Sequence, residues 1–132
     1  VSTAWVNGSF DILHVGHLKL LEFASTHGDL IVGIDSDRRI SHLKGIGRPY
    51  NSEINRKFFL ECLKFVKEVH IFDSDYELEQ LIKKISPNHL IVGDDYINKK
   101  IIGSDYSDKI IFFKKIIGFS TTSILNYKDK LI

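Results

Sequence analysis

Two histidines three residues apart, His14 and His17, stand in the stretch GSFDILHVGH at positions 8–17. Imidazoles at this spacing serve as metal ligands, as packed core residues or as donors to a phosphate. A zinc site needs at least one more Cys, His, Asp or Glu at suitable spacing, and neither HExxH nor CxxC occurs in the chain. A phosphate reading accounts for more of the stretch. Gly16 has no Cβ, so a bulky ligand can approach the backbone there. His17 falls in the first turn of a predicted helix, where unpaired N–H groups and the helix dipole attract an anion. Imidazoles beside a phosphate can donate hydrogen bonds to charge that grows in a transition state.

Other stretches carry related chemistry. In LKGIGRPYNSEINRK, Lys44 is a point charge and Arg48 and Arg56 are planar forks, a set that suits a triphosphate. In GFSTTSIL, Gly118 permits a tight turn, and Ser120, Thr121 and Thr122 place hydroxyls and N–H groups at a helix start. In GDDY, Gly93 allows close approach to a base or sugar, while Asp94 and Asp95 either accept from sugar hydroxyls or cap the next turn. Asp37 reads equally as a helix cap or a substrate contact.

These residues need a frame that brings them together. Short apolar runs alternate with segments of helical period. TAWVN, DLIVGID, EVHIF, HLIVGDD and KIIFF read as five strands. Helices are expected over residues 15–26, in a short helix opening near Asp37, over 52–65, over 75–86 and from Ser120 to the end. In the 52–65 helix, Ile54, Phe58, Phe59, Cys62, Leu63 and Val66 form the expected apolar stripe; residues 41–51 read as a loop. Strand–helix alternation predicts an α/β fold: a Rossmann-like three-layer arrangement with a five-stranded parallel sheet and helices on both faces, in a single domain over residues 1–132. In such a sheet, ligands bind beyond the carboxyl ends of the strands. The polar stretches that need explaining all follow strands.

The 132 residues carry a net charge of +1, which gives no reason to expect a nucleic-acid or membrane partner. Any anion site must therefore be local. One cysteine, Cys62, excludes an internal disulfide framework and suits a reducing cytoplasm. No uncharged run approaches the length of a transmembrane helix, and no signal-peptide pattern is visible.

GSFDILHVGH resembles the GxFDxxHxGH signature of the cytidylyltransferase-like nucleotidyltransferases, and GFSTTSIL resembles the GxSTT signature near the end of that family. The resemblance implies that His14 and His17 stabilise a five-coordinate α-phosphate. It implies that Gly8, Ser9, Phe10 and Gly16 line the nucleotide, with Phe10 packed under the turn. Gly118, Ser120, Thr121 and Thr122 would grip the β- and γ-phosphates. Asp11 would orient the loop or line the acceptor pocket.

Residues 43–56 further resemble the LKG-x-x-RP-x-N-x-x-x-R stretch of the heptose-1-phosphate adenylyltransferases, through Leu43, Lys44, Gly45, Arg48, Pro49, Asn51 and, one residue on from the pattern, Arg56. That likeness implies Lys44 and Arg56 as phosphate contacts and Asp11, Asp37 and Arg48 toward the acceptor. A G-x-D-[YW] stretch in related families adds Gly93 and Asp95. The glycerol-3-phosphate cytidylyltransferases, next nearest, carry Arg-Thr where Lys115 and Ile116 stand here. The implied reaction joins a sugar or polyol phosphate to ATP or CTP with release of pyrophosphate. Magnesium would enter on the nucleotide phosphates, and the implied assembly is a homodimer.

Overall fold

The computed structural model describes residues 2–114. Five strands, β1 (Thr3–Gly8), β2 (Asp29–Asp35), β3 (Glu68–Phe72), β4 (His89–Gly93) and β5 (Lys109–Phe113), form one sheet in the order β3-β2-β1-β4-β5. Every neighbouring pair is parallel. Four α-helices connect them: α1 (Val15–Ser25), α2 (Asp37–Lys44), α3 (Glu53–Glu61) and α4 (Asp75–Ile85). The Gly118, Ser120, Thr121 and Thr122 group and the helix expected from Ser120 lie outside the described residues.

Side-chain alternation along the strands builds two cores. Ala4, Val6, Leu30, Val32 and Ile34 pack with Leu21 and Ala24 of α1 and Leu60 of α3 on one face. Trp5, Ile31, Phe72 and Leu90 pack with Leu78 and Ile82 of α4 on the other. Covering both faces explains why β2 is an almost unbroken apolar run. Gly33 is needed where that run is interrupted. A Cβ there would lie 2.4 Å from Trp5 Cζ2, and Trp5 is fully buried and cannot move aside. Gly33→Ala is therefore expected to destabilise the domain by about 1–3 kcal/mol, read as a lower denaturant midpoint.

Three helices start alike. Ser36, Ser52 and Ser74 each turn a hydroxyl back to accept from the N–H three residues on, at 3.1, 3.2 and 3.1 Å. The structure alters three boundaries. The short helix after β2 runs on to Lys44, into the expected loop, and ends where Gly45 takes φ 97° and donates to Ser41. Helix α3 stops at Glu61, short of the expected residue 65. Strand β4 ends at Gly93, and Asp94–Tyr96 form a 3₁₀ turn.

The expected stripe of α3 holds only in part: Leu63 and Val66, past the helix end, pack against the core. Ile54, Phe58, Phe59 and Cys62 face outward, while Arg56 and Leu60 are the buried residues of that helix. The side chain that decides the helix's orientation is thus a charged one. Among the described residues, no helix is long and apolar enough to cross a membrane.

Candidate active site

Sheet order reverses between β1 and β4: the chain steps outward from β1 to β2 and β3, then crosses back to β4 and β5. A cleft of about 600 Å³ opens there, beyond the carboxyl ends of the strands. Gly8, Ser9, Phe10, His14, Gly16, His17, Lys44, Gly93 and Asp95 all line it. Residues up to 87 positions apart in the chain are brought to one place by topology alone.

His14 is itself the N-cap of α1. Its backbone is extended, and its Nδ1 accepts from the N–H of His17 at 3.4 Å. With Nδ1 accepting, the neutral ring carries its proton on Nε2, which is then a donor. The His17 ring stacks on the His14 ring, with centroids 3.8 Å apart and planes 21° from parallel. Phe10 abuts the His17 ring at 5.2 Å. Phe10 is buried and sits at φ 47°, a left-handed backbone that costs a bulky residue energy. A Cβ on Gly8 would approach the Phe10 ring to 3.2 Å, so this glycine makes room for Phe10 as well as for any ligand.

Two buried groups hold the strained turn. Asp11 is 1% exposed and accepts from the backbone N–H groups of Tyr50 and Asn51, both at 2.8 Å. Asn51 Nδ2 donates back to the Asp11 carbonyl at 2.7 Å. Asp11 therefore orients the 48–51 loop. Its carboxylate accepts from protein donors, the loop-orienting one of its two expected roles. Arg48 follows it: its Nε lies 3.5 Å from Asp11 Oδ2, with the guanidinium turned into the protein, and Arg48 is absent from the cleft wall. The peptide between Arg48 and Pro49 is cis.

Arg56 is likewise corrected. It is fully buried, and its guanidinium donates to the carbonyls of Asn51, Ser9 and Asp35 and to Asp37 Oδ1, at 2.7–3.0 Å. That set uses the fork on protein acceptors, so Arg56 joins the histidine turn, the end of β2 and the 48–51 loop instead of meeting a phosphate. Asp37 has a matching role. Its backbone N–H donates to Glu53 Oε1 and its carboxylate accepts from the Glu53 N–H, which ties the start of α2 to the start of α3. The cap itself is Ser36. Asp37 is absent from the cleft wall.

Lys44 keeps the expected position. Its Nζ lies 3.3 Å from Ser9 Oγ at the cleft. Desolvation, and then the nearby Arg48 charge, hold its pKa below the ordinary lysine value. A cation so placed gains from any anion that enters. Burial similarly lowers His14 from its ordinary value of 6.5. The unfolded chain then binds more protons than the folded one between the folded pKa and 6.5. Stability from this group is constant above that window and falls as pH drops through it. An NMR titration is expected to place the His14 midpoint below 6.5, and saturating triphosphate is expected to raise it.

Sequence reasoning missed Asp35, Arg39 and Phe72, which form one wall of the cleft. Asp35 was visible only as the polar end of a strand. Among the described residues, no group of three or more His, Cys, Asp or Glu side chains could hold a metal ion.

A family profile described as cytidylyltransferase-like matches residues 5–131. A bifunctional protein HldE from Campylobacter fetus subsp. fetus is 44% identical over 123 residues, covering 92% of this chain and 27% of that protein. Another, from Campylobacter jejuni subsp. jejuni serotype O:6, is 46% identical over 128 residues, covering 96% and 28%. The chain thus spans little more than a quarter of these curated relatives. A lipopolysaccharide core biosynthesis protein from Thermoplasma volcanium superposes with a TM-score of 0.73 at 22% identity, over 87% of this chain and 98% of that one, a likeness of fold.

Proposed function

The chain belongs to the cytidylyltransferase-like family, and we propose that it transfers a nucleotidyl group from a nucleoside triphosphate to a sugar phosphate. The acceptor of choice is D-glycero-D-manno-heptose 1-phosphate, with ATP as donor. The observation that carries the reading is the stacked His14–His17 pair at the head of α1, sharing its cleft with Lys44. The likeness of residues 43–51 to the heptose-1-phosphate adenylyltransferases favours the heptose acceptor.

The chemistry follows from those groups. A phosphate oxygen of the acceptor attacks the α-phosphorus in line. The bond from that phosphorus to the bridging oxygen of the β-phosphate breaks, and pyrophosphate leaves with the electron pair. An acceptor phosphate is already ionised at neutral pH, so no general base and no covalent enzyme intermediate are required. Positioning and charge neutralisation carry the rate. His14 Nε2–H and the His17 ring would donate to the equatorial oxygens as the α-phosphorus becomes five-coordinate. Lys44 would neutralise charge on the phosphates. The cleft offers imidazole and ammonium donors, chemistry that fits phosphate oxygens. A magnesium ion would therefore ride on the triphosphate and neutralise the departing pyrophosphate. Gly118, Ser120, Thr121 and Thr122 are proposed to hold the triphosphate tail. Homodimeric assembly and a cytoplasmic setting complete the proposal, on the family resemblance and on the free thiol of Cys62.

The test crosses ATP and CTP with heptose 1-phosphate and glycerol 3-phosphate, reading pyrophosphate release. Fastest turnover is expected for ATP with heptose 1-phosphate. Fastest turnover for CTP with glycerol 3-phosphate would move the assignment to the glycerol branch. Triphosphate binding with no turnover across the panel would make the chain a nucleotide-binding module.

A further inference from the structure

One wall of the cleft has no part in the chemistry above. Arg39, on α2, donates from Nε to Asp35 Oδ1 and from Nη2 to Asp75 Oδ1, both at 2.7 Å. Its guanidinium carbon sits 5.4 Å from the centre of the Phe72 ring, and Phe72 is buried. Two carboxylates and a ring face thus fix the fork in place before any ligand arrives. Arg39 and Asp35 are mostly buried, with side chains 19% and 16% exposed, and both line the cleft.

The charge on this wall argues against a phosphate. One guanidinium faces two carboxylates, so the array is anionic by one charge, whereas Lys44 nearby has no carboxylate within ion-pair distance among the described residues. What the array retains is one donor atom and one acceptor atom. Arg39 Nη1 and Asp35 Oδ2 make no hydrogen bond among the described residues. A hydroxyl group is both donor and acceptor, so the hydroxyls of a polyol suit both atoms. Asp75 also borders a second recess of about 550 Å³, which shares Lys100, Ile101 and Ile102 with the main cleft and gives a branched polyol room.

We propose that Arg39 and Asp35, braced by Asp75 and Phe72, read the hydroxyl groups of the acceptor and select a polyhydroxylated phosphate over a small one. This rests on the transferase reading for its link to turnover, though the binding it predicts can be measured alone. The experiment is calorimetric titration of heptose 1-phosphate, and separately of glycerol 3-phosphate, into the protein saturated with a non-hydrolysable ATP analogue. It uses the wild type, Asp35→Asn and Arg39→Lys. Loss of one charge-assisted hydrogen bond is expected to weaken heptose 1-phosphate about tenfold in each variant, with nucleotide affinity unchanged and glycerol 3-phosphate affected less.

Arg39→Lys keeps the charge but cannot hold both carboxylates, and thermal melting verifies that it folds. Asp35→Asn preserves shape and decides the matter if Arg39→Lys does not fold. Equal heptose affinity in wild type and Asp35→Asn would overturn the proposal. So would a matching loss of nucleotide affinity, or a wild type that binds no sugar phosphate. Selective loss of sugar binding in a protein whose wild type turns nothing over would sustain this wall as a polyol site and remove the transferase reading instead.

Discussion

Replacing His14 or His17 with alanine is expected to lower kcat for nucleotidyl transfer by about 10²–10³-fold, with a much smaller change in triphosphate affinity. The split follows from where each ring would act. Donors aimed at the equatorial oxygens gain most when charge gathers there in the five-coordinate state, so their loss falls on kcat. Two structural facts make the experiment more informative than a pair of knockouts. First, the rings stack at 3.8 Å and His14 Nδ1 accepts from the His17 N–H, so each orients the other. The double variant should therefore lose less than the product of the single losses. Second, His14 caps α1, and His14→Ala also removes a helix cap, at a cost of about 1 kcal/mol. His14→Asn separates the two roles, since asparagine caps well but has no imidazole. It is expected to keep wild-type stability and still lose turnover. Wild-type kcat in a folded His14→Asn protein would remove His14 from the chemistry.

Much of this arrangement was legible in the sequence because it depends on local pattern. Strand β2 announces itself by Leu30, Ile31, Val32 and Ile34, and α4 by Leu78, Leu81, Ile82 and Ile85 at helical spacing. The histidine turn was legible because glycine, aspartate and two imidazoles after a strand have few ordinary uses. Helix α3 shows where such reasoning fails. Apolar periodicity selects the face with Ile54 and Phe58, yet those side chains are more than half exposed, and the buried position is Arg56. No pattern rule places a guanidinium in a core. It is there because three carbonyls, from Ser9, Asp35 and Asn51, converge on it from segments up to 47 residues away. Asp11 is the same case with the opposite charge. The N–H groups of Tyr50 and Asn51, some 40 residues on, turn a candidate acceptor contact into a brace. Lys44 and Arg56 are both cations in one short stretch, and only the fold sends the first to the cleft and the second inside.

Arg56→Ala is expected to destabilise the domain by about 3–5 kcal/mol, the largest loss of any single change considered for this fold. The cost is not that of one ion pair. Removing the guanidinium takes the donor from three carbonyls at a point fully closed to water on the arginine's side, and leaves Asp37 Oδ1 with the Glu53 N–H. Arg56→Met would refill the volume without restoring a donor, and should recover only the packing part of the loss. Arg56→Lys restores the charge but not the fork. An ammonium cannot reach acceptors spread around a planar guanidinium, so a substantial deficit should remain. Denaturant titrations of the three variants measure the ladder. The same proteins test how stability connects to the site. Arg56 Nη1 holds the Ser9 carbonyl at 2.9 Å, one residue before the left-handed Phe10 that abuts His17. A folded Arg56→Lys enzyme should therefore lose kcat through the histidine turn while its KM for nucleotide changes little. Were Arg56→Lys instead fully stable and defective only in nucleotide KM, the arginine would belong to the triphosphate after all, and its four protein acceptors would be incidental.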